Sequence, residues 1–181
     1  MERYGNQVIV DIQVLSQDNA EYLSGFNCGN KSIDQYFNMQ ARDDETAVTY
    51  LFIDCEKDIL IACMTIACSA IFDEGEEQEK PLTTILSAME IKYFAVDDRY
   101  KHLPYIKGSP YSLSHYMFIH MLSYMREISH TKIGASKIVL YSVPDAVHFY
   151  ERCRFKEFGD TMYGDEGTYL EGCVPMYFDL N

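Results

Sequence analysis

Few residues in this sequence pair a reactive group with a setting that could use it. Tyr150 stands in HFYERCRF (148–155), at the end of a helical-looking stretch, as half of an aromatic pair. A phenol, with an ordinary pKa near 10, can donate a proton to a departing base. The plainer alternative is a ring packed between helix and sheet, its hydroxyl bonded to the backbone. Glu90, in AMEIKYFAVD (88–97), is the best carboxylate for accepting a proton, directly or through water, if burial raises its pKa. An exposed structural glutamate is the competing reading. His102, His115, His120, His130 and His148 show no metal-ligand spacing. The six cysteines include no CxxC pair, and several lie in apolar runs where thiols pack as small hydrophobes. They are read as reduced, and no metal is expected.

The elements that must carry these residues follow from periodicity. VIVDIQVL (8–15) alternates as a half-buried first strand. In SGFNCGNKSIDQYF a glycine- and asparagine-rich turn leads into a helix for which Ser32 can act as cap, with Ile33, Tyr36 and Phe37 on one face. VTYLFID (48–54) and ILIACMTIACSAI (59–71) read as a hairpin joined by CEKD, and FDEGEEQEKPL (72–82) as a solvated acidic loop. AMEIKYFAVD reads as a central strand. A helix over about Pro110–His130 follows, with Ser109 as its cap and Pro110 in its first turn. KIVLYSV (137–143) is a buried strand, PDAVHFYER a short helix, and FKEF and VPMYFDL closing strands. This order predicts a mixed sheet covered by helices, in one domain over 1–181.

The net charge of -13, from 28 acidic against 15 basic residues, sets the average surface against non-specific binding of nucleic acid. No run approaches the roughly 20 apolar residues of a membrane span, and the N-terminus reads as neither a signal nor a transit peptide. A cytoplasmic protein without a membrane partner is expected.

KIVLYSVPDAVHFYERCRF resembles the strand, short helix and A-x-x-F-Y-x-x-x-G-F closing motif of the GNAT acetyltransferase superfamily. Ala146, Phe149, Tyr150 and Phe155 keep the pattern, while Arg154 stands at the usual glycine and Val143 at the usual asparagine. EIKYFAVDDRY resembles the fourth strand of that family. FNCGNKSIDQYF is similar to the F-x-C-G-x-x-x-L-D-x-[FY]-[FL] segment of acetyltransferase toxins that modify charged tRNA. The resemblance covers nearly the whole chain. It implies a mixed α+β fold of the α/β class, with a mostly antiparallel central sheet flanked by helices, and an N-acetyltransferase using acetyl-CoA as acyl donor.

The resemblance further implies that Phe94, Ala95 and Val96 line the pantetheine arm, and that Tyr150 lies beside the thioester sulfur as general acid with Glu90 as candidate base. The family's phosphate loop, [RQ]-x-x-G-x-[GA], has no literal counterpart. KHLPYI (101–106) takes its place without gaps; KGSPYS (107–112) does so with an insertion. The second is preferred, because Lys107, Gly108, Ser109, Tyr111 and Ser112 supply a cation, a close-approach glycine and hydroxyl groups near a helix N-terminus. The acceptor is an amine of a small molecule, peptide or aminoacyl group. Aminoacyl-tRNA is disfavoured by the net charge, and a homodimer is compatible with the sequence. A non-catalytic protein that keeps the fold with a degenerate phosphate loop is the alternative.

Overall fold

Val10, Ile12 and Gln13 are half-buried and Asp11 and Val14 exposed in β1 (Val10–Val14), a partly covered strand paired antiparallel with β2 (Ala47–Asp54) from Val10↔Asp54 to Val14↔Tyr50. In a computed structural model of the chain, the described residues are 8–77, 80–159, 162 and 170–180, without the side chains of 72–77 and 80–84. β3 (Ile59–Glu77) and β4 (Lys80–Val96) follow, then β5 (Lys137–Ser142), β6 (Lys156–Glu157) and β7 (Val174–Asp179). They form one seven-stranded sheet in the order β1-β2-β3-β4-β5-β7-β6. β4 and β5 are parallel over Ala88–Ile91 and Lys137–Leu140, while β5–β7 and β6–β7 are antiparallel. The helices are α1 (Lys31–Met39), α2 (Leu113–Ile128) and α3 (Val147–Arg152). This is the mixed, mostly antiparallel α+β architecture that the sequence predicts.

The chain divides into two compact units, one running to Ile66 and including Tyr93–Met121, the other comprising Ala67–Lys92 and the chain from Leu122. In the first, Phe26, Phe37, Leu51, Cys63 and Ala95 share a core, and Tyr93 lies 4.2 Å from the Tyr36 ring, centroid to centroid. In the second, Ile71, Ala88 and Val139 are buried beneath Phe158 and Tyr177. Along α2 the residues Leu113, Met117, Met121 and Met125 are fully buried at helical spacing, and Tyr116, His120 and Tyr124 are exposed. All six cysteines are free thiols. No helix among the described residues is long and apolar enough to cross a membrane.

Three expectations need correction. The acidic stretch 72–82 is not a loop: β3 runs to Glu77 and β4 begins at Lys80, with 78–79 outside the described residues. Pairing in a long hairpin overrides the low strand propensity of its charged residues. The cap of α1 is Asn30 rather than Ser32; its Oδ1 accepts from the Ser32 and Ile33 amides at 3.1 and 3.3 Å. Likewise α2 starts at Leu113, and Ser112 caps it by accepting the His115 amide on Oγ at 3.2 Å. Ser109 and Pro110 instead lie in a small hairpin, closed by the Pro104↔Ser112 bridge and a 3.1 Å bond from the Tyr105 amide to the Tyr111 carbonyl.

Candidate active site

In the first unit the residues of interest sit at the end of β4 and in the hairpin that follows. Ala95 and Val96 are buried, Phe94 is half-buried, and its ring lies 5.1 Å from that of Phe118 on α2. The parallel register with β5 ends at Ile91, so Phe94–Val96 lie beyond it along β4. The amide after them, that of Asp97, donates to the Ile61 carbonyl at 2.8 Å.

The two candidate phosphate segments, 101–106 and 107–112, are largely the two limbs of the 104–112 hairpin and its approach. KGSPYS runs directly into α2. Gly108 takes φ +85°, a left-handed conformation that side chains other than glycine rarely adopt, and turns the chain at the hairpin tip. Lys107 and Tyr111 are exposed; Ser109 and Ser112 are half-buried. The Ser109 hydroxyl accepts the Tyr111 amide at 3.0 Å, and the Ser112 hydroxyl lies 2.8 Å from that of Ser114. Stacked rings stiffen the base of the hairpin: Tyr105 on Tyr116 at 3.7 Å and 9°, and Tyr111 on His115 at 4.8 Å. Lys107 and Gly108 thus stand at the hairpin tip, and Ser112 at the start of the 16-residue α2, where its hydroxyl caps the helix. Lys101 in the other segment is already engaged, 2.7 Å from Asp98 and bonded to the Cys28 carbonyl.

One signal here was missed in the sequence. From Tyr100 to Arg126 there is no aspartate or glutamate, in a chain with 28 of them, while Lys101, Lys107, Arg126 and three histidines fall in that stretch. The hairpin is therefore free of carboxylates of its own and rich in tyrosine, while in α2 the charge of Arg126 is matched by the adjacent, exposed Glu127.

In the second unit Tyr150 is buried on α3, edge-on to Phe149 at 5.2 Å and to Phe155 at 6.0 Å. Burial, reinforced by Cys153, raises its pKa well above the ordinary phenol value. Glu90 is half-buried on β4 opposite Val139. Burial raises its carboxyl too, with Lys92 and a hydrogen bond from Ser69 drawing it back. Both groups are thus held towards their protonated forms, the phenol as a lasting donor and the carboxyl closer to neutrality than an exposed glutamate.

The closing turn after α3 explains one departure from the family pattern. Arg154 takes φ +70°, the left-handed conformation that the usual glycine adopts without penalty. Bonds from the Arg154 amide to the Glu151 carbonyl, 2.8 Å, and from the Phe155 amide to the Tyr150 carbonyl, 3.0 Å, keep the turn. Among the described residues, no three His, Cys, Asp or Glu side chains come together as a metal-binding group.

No protein-family model matches the sequence, and neither does any curated protein. Solved structures match over nearly the full length. A tyrosine-to-phenylalanine mutant of the AtaT toxin superposes with TM-score 0.72 at 12% identity, covering 99% of this chain and 96% of that one. The AtaTR structure bound with acetyl-CoA gives 0.71 at 14% identity, covering 94% of each. AtaT complexed with acetyl-methionyl-tRNA gives 0.66 at 13%, covering 94% and 95%. Across this range of sequence divergence the architecture is held in common, and the chain has the GNAT fold that its motifs resemble.

Proposed function

We propose that this chain is an acetyl-CoA-dependent N-acetyltransferase acting on an amine. The observation that carries the reading is Tyr150: a tyrosine buried on the short helix of the closing motif, edge-on to Phe149 and Phe155, whose phenol is protonated at physiological pH. The fold likeness and the 107–112 hairpin support the donor class.

Acetyl-CoA would supply an acyl group activated as a thioester. Lys107, Ser109, Ser112 and the start of α2 would hold its phosphates, with Gly108 allowing close approach and Tyr111 flanking them. Phe94, Ala95 and Val96 would bind the pantetheine arm, and a backbone N–H of this segment would stabilise the oxyanion. Glu90, directly or through one water, would take the proton lost by the amine as nitrogen bonds to the carbonyl carbon. Tyr150 would donate its proton to the sulfur as the carbon–sulfur bond breaks. The phenol is the weaker acid of the two, with an ordinary pKa near 10 against about 8.5 for a thiol, so the transfer would be coupled to carbon–sulfur cleavage, which the arriving proton assists. Glu90 would then release its proton to solvent and Tyr150 regain one from it, which returns both groups to their starting forms.

Calorimetric titration with acetyl-CoA tests the donor. Saturable binding supports the reading, and no binding at millimolar concentration overturns it in favour of a non-catalytic protein of the same fold. For the acceptor, the FNCGNKSIDQYF segment and the fold likeness to AtaT, solved with acetyl-methionyl-tRNA, support the amine of an aminoacyl-tRNA as the specific candidate despite the net charge of -13. Acetylation of charged tRNA in preference to free amines and peptides would support it; the reverse preference would reject it.

A further inference from the structure

The segment FNCG, singled out in the sequence, contributes none of the reacting groups above, yet Asn27 and Cys28 are hydrogen-bonded to the chain leaving β4 and Gly29 lies against it. The Asn27 carbonyl accepts the Asp98 amide at 3.0 Å, and the Asn27 side chain accepts the Gly29 amide at 2.9 Å. The Cys28 carbonyl accepts the Lys101 ammonium, which also sits 2.7 Å from the Asp98 carboxylate. On the other side the Cys28 amide donates to the Asp34 carboxylate at 2.7 Å, fixing the turn to α1. Gly29 takes φ +78°, and a Cβ there would lie 3.0 Å from Asp98 Oδ2. Glycine takes this torsion without strain, and an added Cβ would press on the Asp98 carboxylate. Next along the chain, buried Asp97 accepts the Arg99 side chain on both oxygens, at 2.7 and 2.9 Å.

These contacts surround residues 97–101, the short link from Phe94–Val96 to the hairpin and the start of α2. Two binding elements joined by so short a link keep a fixed spacing only if the link is immobilised. Displacement by about 1 Å can cost up to 100-fold where alignment matters.

We propose that Asn27, Gly29, Asp98 and Lys101 form a clamp that positions the acyl-donor-binding residues Phe94–Val96 and Lys107–Ser112 relative to one another. The four are positioning residues, and their relevance to acetyl-CoA rests on the function proposed above. The competing role for Lys101 is direct contact with phosphate. Asp98→Asn separates the two roles by sign. It keeps the side-chain shape at a half-exposed position, so the protein should fold. A clamp that loses its ion pair weakens acetyl-CoA binding by about tenfold. A lysine released from its carboxylate to meet phosphate would instead bind acetyl-CoA more tightly.

The experiment measures acetyl-CoA affinity by calorimetry, KM and kcat, and amide hydrogen exchange over 98–112, for wild type, Asp98→Asn and Gly29→Ala. The expected result is a raised Kd and KM with kcat within about twofold, and faster exchange over 98–112, at an unchanged global unfolding midpoint in Asp98→Asn and a lowered one in Gly29→Ala, where alanine is strained at φ +78°. Tighter binding by Asp98→Asn, or unchanged binding and exchange in both variants, overturns the clamp. Failure of the wild type to bind acetyl-CoA would sink the acetyltransferase reading alone. The exchange rates would then still decide whether these residues immobilise the link.

Discussion

Tyr150 and the 107–112 hairpin differ in how they would meet a ligand. Tyr150 and Glu90 are buried or half-buried side chains whose proton affinities are set by removal from water. The hairpin is built from backbone torsion, hydroxyls and the exposed cation Lys107. The first set should respond to isosteric substitution and pH while tolerating salt. The second should respond to salt and backbone changes while tolerating pH. The contrast separates chemistry from capture and makes each testable alone.

The largest expected effect falls on Tyr150. Replacing it with phenylalanine keeps the packing against Phe149 and Phe155 and removes the donor, so kcat should drop about 10²–10³-fold with acetyl-CoA affinity nearly unchanged. A drop in thermal midpoint with kcat intact would return Tyr150 to a packing role. Because its pKa is raised, no alkaline loss of activity from its ionisation is expected up to about pH 10.

Glu90→Gln comes next, with a loss of roughly tenfold in kcat/KM at neutral pH. A base must be unprotonated, so wild-type activity falls as pH drops through the Glu90 pKa. Burial places that limb above the range of an exposed glutamate. A pH profile of Glu90→Gln that keeps the acid limb would assign the base elsewhere.

A smaller effect belongs to the hairpin. Acetyl-CoA binding should weaken severalfold between low and roughly 0.5 M salt, where screening lengths fall below about 5 Å. Lys107→Ala should flatten that dependence without altering the pH profile. A variant with unchanged salt dependence would move phosphate capture to another segment.

The smallest is Arg154→Gly. A left-handed non-glycine residue costs about 1–2 kcal/mol, against roughly 0.5–1 kcal/mol for the freedom glycine gains in the unfolded chain. A gain of about 0.5 kcal/mol in denaturant-unfolding stability is expected from those two terms. A loss would show that the arginine side chain contributes to stability.

What was legible in the sequence depended on how local its cause is. Alternation located β1, periodic leucine and methionine located α2, and the branched run KIVLYS located β5, because each pattern arises within one element. The acidic stretch 72–82 misled, since its charges and Gly75 read as loop while a long hairpin pairing supplies the hydrogen bonds. The cap of α2 was displaced for a similar reason. Ser109 is a good cap by type, but the Pro104↔Ser112 bridge draws it into a hairpin and leaves the role to Ser112. Tyr150 stood out as a candidate by motif and Glu90 by residue type; that both are withdrawn from water was not legible. The ties between FNCG and Asp98–Lys101 join residues some seventy positions apart and leave no periodic trace.

The turn at Arg154 carries a wider consequence. It retains the bend of the closing motif without the letter by which that motif is usually spelled, and it does so with two backbone hydrogen bonds. A signature written in amino acids records one solution to a torsional requirement. Relatives of this chain can therefore be sought by the torsion itself, including those in which the glycine has been replaced.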